Sequence, residues 1–214
     1  MKRTFENELE KCRILIYGVK ENPTIKERIA AIYTEERLAQ GESLFRSAKT
    51  AAASQLIERA EGMEATRLYN EVRDSIHQGL VKVRQAARYL FKKEIRLLRL
   101  LQIDQDIPTN YAQWKVMAET TFWAIQSEAD VQLKLDMVGL TADSIKEYVD
   151  HIDQIDQLRL TAEKEDGEAQ QASQHKQEAF DELKTYCIDL RECLDLFYRG
   201  VERQKLEEVG IVVK

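Results

Sequence analysis

The apolar positions of this chain recur at helical spacing from one end to the other. Phe5, Leu9, Cys12 and Ile16 fall on one face of a helix predicted over about Thr4 to Tyr17. Gly18 and Asn22-Pro23 are expected to end it, and Thr24-x-x-Glu27 reads as a capping box for a short helix through Ile32. Thr34 can cap the next helix, whose first residues, Glu35 and Glu36, suit the positive end of a helix dipole. From there to Lys93 no proline occurs, and two seams continue at seven-residue steps. One is Gly41, Ala48, Gln55, Gly62, Tyr69, Ile76, Val83 and Leu90; the other begins Leu38, Phe45, Ala52 and resumes at Leu80 and Ala87.

The middle of this stretch, Gln55 to Thr66, is small or polar. Two structures fit: a single helix of ~60 residues, about 90 Å long, or a hairpin turning near Ala60-Glu61-Gly62. A hairpin turn usually pairs its glycine with Asp, Asn or Pro, and none is here. A seam that keeps phase across the midpoint favours the single helix. Asp104 to Thr109 then reads as a linker, and Asn110 can cap a helix striped by Trp114, Ala118, Thr121, Phe122 and Ile125. Gly139-Leu140-Thr141 reads as a glycine stop followed by a new N-cap, after which the chain contains no proline.

A shift of 107 residues lays the second half on the first. Thr34 meets Thr141, Leu38 meets Ile145, Phe45 meets Ile152, Ile76 meets Leu183 and Val83 meets Leu190; one further residue brings Leu101-Gln102-Ile103 onto Val209-Gly210-Ile211. The expectation is an all-α chain of two tandem pseudo-repeats, 1–107 and 108–214, packed as one antiparallel up-and-down bundle with long, coiled-coil-like helices. Small residues, Ala52, Gly62 and Ala65 against Ala162, Gly167 and Ala169, are expected near the crossing. Tyr33-Thr34-Glu35-Glu36-Arg37-Leu38, Gly167-Glu168-Ala169-Gln170-Gln171-Ala172-Ser173 and Glu207-Glu208-Val209-Gly210-Ile211-Val212-Val213 resemble segments of a group of uncharacterised bacterial all-helical proteins with a duplicated unit. The resemblance implies the fold and a bacterial cytoplasmic setting, and it carries no activity.

Composition agrees with long helices. Two prolines and eight glycines are too few for a turn-rich β-protein, and 43% hydrophobic residues are too many for a disordered chain. Three cysteines without a CxxC, no apolar signal core and no apolar run near the ~20 residues of a membrane span point to the cytoplasm.

Candidate chemistry is sparse, and the expectation is a non-enzymatic protein without metal or cofactor. Inward Glu-x-x-His pairs mark di-metal bundles, but the nearest match is Asp74-x-x-His77, with Glu147 and His151 as an ordinary i, i+4 pair. Cys12, Cys187 and Cys193 read as core thiols. No Gly-rich phosphate loop occurs. Trp114 and Trp123, with Tyr111 and Phe122, make a small-ligand pocket conceivable, against a plain core stripe.

The distinctive segment is Val81 to Ile103. Lys82, Arg84, Arg88, Lys92, Lys93, Arg96 and Arg99 stand against Glu94 alone, net +6, which leaves −12 on the rest of a chain whose total is −6. The equivalent Cys187 to Ile211 is net −2. Two destinations are open. One is charge pairing, within the chain or between subunits, with the acidic stretch Asp143, Glu147, Asp150, Asp153 and Asp156. The other is an external anionic partner: a membrane surface, a nucleic acid or an acidic protein. The leading functional expectation is a structural or interaction protein that presents helical surfaces and forms a homo-oligomer or binds a protein partner. The basic segment as an anion-binding surface is the alternative.

Overall fold

In a computed structural model, which describes residues 4–211, the chain is all α: seven α-helices and a closing 3₁₀ helix, with no strand among the described residues. The helices are α1 (Phe5–Glu21), α2 (Pro23–Ile29), α3 (Glu35–Leu90), α4 (Ile95–Leu100), α5 (Tyr111–Ser127), α6 (Ala129–Asp136) and α7 (Ala142–Phe197), before the 3₁₀ helix Gly200–Val209. Val212 and Val213 of the resemblance lie outside the described residues.

α3 and α7 are each single helices of 56 residues, so the stretch around Gly62 does not turn. The seam from Gly41 to Leu90 is the inner face of α3: Gly41, Ala48, Gly62, Ile76 and Val83 are buried and Gln55, Tyr69 and Leu90 are half-buried. The midpoint contributes little to the core. Between Ala51 and Ile76 on α3, and between Ile155 and Ala179 on α7, no buried residue joins either core cluster.

The chain forms two compact units, and each draws on both halves of the sequence. One is the chain up to Ala60 together with the chain from Gly167 onward; the other is Glu61–Asp166. These units therefore cut across the repeats 1–107 and 108–214.

In the first unit, the start of α3 lies antiparallel to the end of α7. The Tyr33 hydroxyl donates to Asp189 at 2.7 Å, the Tyr186 hydroxyl donates to the Arg37 carbonyl at 2.9 Å, and Gln55 donates to Ser173 at 3.4 Å. Leu15, Ile16, Ile29, Leu38, Leu183, Leu190, Leu194 and Tyr198 fill its core. α1 runs past Gly18, where an added Cβ would stand 3.2 Å from Val209 of the 3₁₀ helix and so would crowd it. Asn22 closes α1 and caps α2, its side chain accepting from the Ile25 amide at 3.1 Å with Pro23 as the first helical residue. The cap is therefore Asn22 rather than Thr24, and α2 ends at Ile29, earlier than the apolar pattern implied.

In the second unit, the end of α3 and the start of α7 enclose a core with α4, α5 and α6 that includes Ile76, Leu80, Val83, Phe91, Trp114, Phe122, Ile145 and Ile155. Gly79 approaches the Tyr148 ring, as Gly41 approaches the Tyr186 ring in the first unit. Gly167, expected at a close crossing, has nothing within 4 Å of where a Cβ would stand. Asn110 caps α5 and Thr141 caps α7, both as the sequence indicates. Three elements end in the same way. The amides of Ile103, Leu140 and Ile211 donate back to the carbonyls of Leu98, Leu135 and Leu206, each one residue past a left-handed position. Gly139 (φ 83°) and Gly210 (φ 77°) suit that conformation, whereas Gln102 (φ 52°) adopts it without being glycine.

Candidate interaction surface

The basic segment covers the end of α3, the turn after it, and α4, all within the second unit. On α3, Leu80, Val83 and Ala87 face the core, which turns Lys82, Gln85, Arg88 and Tyr89 to solvent. Lys92, Lys93 and Arg99 are also exposed. None of Lys82, Arg88, Lys92, Lys93 and Arg99 has an ion pair among the described residues. Lys92 instead lies over the Tyr89 ring, 6.0 Å from its centroid. Tyr89 and Ile95 stand among these cations at 73% and 67% exposure, so the face is apolar as well as positive.

The other two cations are committed internally. Arg96 donates to Glu128 at 2.6 Å. Arg84 is buried, and its guanidinium donates to the carbonyls of Gln102 (2.6 Å), Ile103 (3.5 Å) and Gln105. Burial first, and Arg88 second, hold the Arg84 guanidinium below its ordinary pKa, while Asp106 and Asp104 oppose them. Arg84 thus anchors the chain leaving α4 and is not available to a partner.

The acidic start of α7 makes its ion pair with α5, not with the basic segment. Asp156 accepts from Lys115 at 2.6 Å and from the Tyr111 hydroxyl at 2.7 Å, and these two contacts hold its carboxyl below the usual range. Asp143, Glu147, Asp150 and Asp153 are exposed.

A second charged surface lies in the first unit. A groove of about 970 Å³ is lined by Arg37, Gln40 and Leu44 of α3 and by Glu178, Asp181, Glu182, Thr185, Tyr186 and Asp189 of α7. Arg37 is paired with Asp189, which leaves Glu178, Asp181 and Glu182 to set its sign. The spacing i, i+3, i+4 put these three acids on one helical stripe in the sequence, but nothing there marked the stripe as one wall of a groove.

The remaining candidates separate. Trp114 is buried in the core of the second unit, while Trp123, nine residues on and half a helical revolution round, is 53% exposed. The cavity along α5 is lined by Gln102, Gln105, Pro108, Ala112, Gln113, Val116 and Met117, and by neither tryptophan. His77 and His175 are exposed, and His151 is half-buried with its Nδ1 unpartnered. Cys12, Cys187 and Cys193 are buried and form no disulfide with one another. No helix among the described residues is long and apolar enough to cross a membrane. No known family, curated protein or solved structure matches the chain.

Proposed function

We propose that this is a non-catalytic interaction protein that self-associates, the basic face at the end of α3 in one copy meeting the acidic groove of another. The observation that carries the reading is the exposure of Lys82, Arg88, Lys92, Lys93 and Arg99, none of which has an ion pair among the described residues. Charges left unpaired beside exposed Tyr89 and Ile95 are what a docking face needs: the charges steer the encounter and the apolar groups are desolvated on contact. The groove bearing Glu178, Asp181 and Glu182 supplies the opposite sign. Two different patches in contact make a head-to-tail association, which closes into a ring or grows as a chain.

A tandem duplication belongs to the same proposal. α1 and α5 are both 17 residues long, α3 and α7 are both 56, and Ala142 follows Glu35 by 107 positions. That offset carries Gly41 onto Tyr148 and Gly79 onto Tyr186, so the two glycine–tyrosine contacts are images of each other. The left-handed Gln102 and Gly210 correspond at an offset of 108, one residue more. The basic face has no counterpart in the second copy, which fits a function acquired after duplication. The proposed setting is a bacterial cytoplasm, on the strength of three cysteines without a CxxC and the resemblance noted above.

Sedimentation velocity across salt concentration tests the association. The native chain should form oligomers that dissociate as the Debye length shrinks below about 8 Å. Replacing Lys82, Arg88, Lys92 and Lys93 with Gln should leave a folded monomer. A native chain that is monomeric at low salt, or an oligomer indifferent to the substitutions, overturns the reading.

A further inference from the structure

The cavity along α5 holds about 520 Å³, within the range of about 300–1,000 Å³ typical of small-molecule sites. The chain is 33% charged, yet no residue lining this cavity carries a charge. Pro108, Ala112, Val116 and Met117 give it apolar walls, and the other lining residues are three glutamines, Gln102, Gln105 and Gln113. These glutamines bond through the backbone: the carbonyls of Gln102 and Gln105 accept from Arg84, and the Gln113 amide donates to Asn110. Their side-chain carboxamides make no hydrogen bond among the described residues. The lining shares no residue with the basic face or the acidic groove.

Gln102 is held against its own backbone preference. It is the only residue other than glycine with a positive φ (52°) among the described residues. The same turn closes two other elements, and there the left-handed position is Gly139 or Gly210. That conformation crowds any Cβ, and residues kept in it cluster at ligand-holding sites. Glycine would serve the turn better, so what Gln102 adds is its carboxamide at the cavity. At Gly210 the equivalent space is closed, since a Cβ there would stand 2.6 Å from Cγ2 of Ile14 on α1. The walls beside Gln102 are also fixed from behind. The buried Arg84 guanidinium holds the Gln102 carbonyl at 2.6 Å and lies 3.8 Å from the Met117 sulfur. Asn110 accepts from the amides of Ala112 at 3.0 Å and Gln113 at 3.3 Å. A lining set in advance lowers the ordering cost of binding.

A carboxamide offers an N–H donor and a carbonyl acceptor side by side, and it pairs through two hydrogen bonds with an edge that carries the reverse. We propose that this cavity binds a small, uncharged, planar heterocycle whose edge sets an N–H beside an acceptor, the chemistry shared by free nucleobases and simple lactams. Gln102 supplies the paired hydrogen bonds, and Pro108, Val116 and Met117 supply the apolar contact. A charged ligand is disfavoured, because no lining residue neutralises it and the nearby Arg84 is committed to carbonyls.

Saturation-transfer NMR on the whole chain with uracil, adenine and 2-pyridone tests this, with 1,3-dimethyluracil, whose N–H groups are blocked, as the control. Transfer to at least one of the three is expected, and the pattern separates a nucleobase site from a general lactam site. The methylated control should show none. Gln102→Gly should weaken binding about tenfold or more and melt no lower than the native chain, since glycine suits the left-handed backbone. Val116→Glu, which puts a charge on an exposed wall position, should lose binding and stay folded. If Gln102→Gly does not fold, Val116→Glu and the methylated control still decide. Absence of transfer to all three probes overturns the proposal. So does equal transfer to 1,3-dimethyluracil, or binding that either folded variant leaves intact.

Discussion

Replacing Gly41 with alanine puts a methyl group where α3 and α7 meet in the first unit. The added Cβ would stand 2.5 Å from Cζ and 2.6 Å from Oη of Tyr186. Carbon atoms in contact sit about 3.5–4.0 Å apart, so the ring would have to retreat by about 1 Å. It is poorly placed to do so. Tyr186 is buried, its hydroxyl donates to the Arg37 carbonyl at 2.9 Å, and its ring packs edge-on against Tyr33 at 5.8 Å. Overpacking of this kind costs about 1–3 kcal/mol, and loss of the hydroxyl's hydrogen bond adds roughly 1 kcal/mol. The better helix propensity of alanine returns about 1 kcal/mol. The net is a destabilisation of about 2 kcal/mol, or about 4–8 °C in melting temperature for a chain of this size. Gly167→Ala is the control, because that glycine lies within α7 with open space around it; only the propensity gain applies, up to about 1 kcal/mol. Thermal and urea unfolding followed by far-ultraviolet circular dichroism measure both variants. If Gly41→Ala stabilises the chain as Gly167→Ala does, the antiparallel contact between α3 and α7 is not the one described.

Both tryptophans belong to the second unit, so their emission follows that unit alone. By this readout Thr121→Val should stabilise it by about 1 kcal/mol, because the Thr121 hydroxyl is fully buried and unpartnered and removing it relieves a desolvation cost; unchanged or lower stability would mean that the hydroxyl finds an acceptor. Arg84→Met should cost roughly 2–4 kcal/mol, since the carbonyls of Gln102 and Gln105 lose their donor in a part-buried setting. A neutral result would show that Arg84 reaches solvent instead of those carbonyls.

What was legible in the sequence were the features that local chemistry decides. Thr34, Asn110 and Thr141 cap helices because their side-chain oxygens accept amides in the first turn, whatever surrounds them. The continuity of α3 was legible because a seam in constant phase buries one face only if the helix does not turn. Two breaks left no such mark. α4 and α6 begin at Glu94 and Glu128, whose side chains make no capping bond, and neither glycine nor proline is present. At both places the glutamate is ion-paired to a residue distant in the sequence: Glu94 receives Lys134, and Glu128 receives Arg96. Helix α1 continues through Gly18 to Glu21, and Val209, almost the whole chain away, packs close to that glycine. The basic segment was visible as charge, but its division was not. Whether Arg84 faces carbonyls or solvent depends on where the chain after α4 returns.

The central claim is that the basic face of one copy meets the acidic groove of another, and a charge-swap complementation tests it most directly. One variant carries Glu at Lys82, Arg88, Lys92 and Lys93; the other carries Lys at Glu178, Asp181 and Glu182. Each alone then presents like charges at the contact and should sediment as a folded monomer at low salt. Mixed, they again offer opposite charges, and association should return. Continued self-association of either variant alone, or a mixture that stays monomeric, would contradict the account.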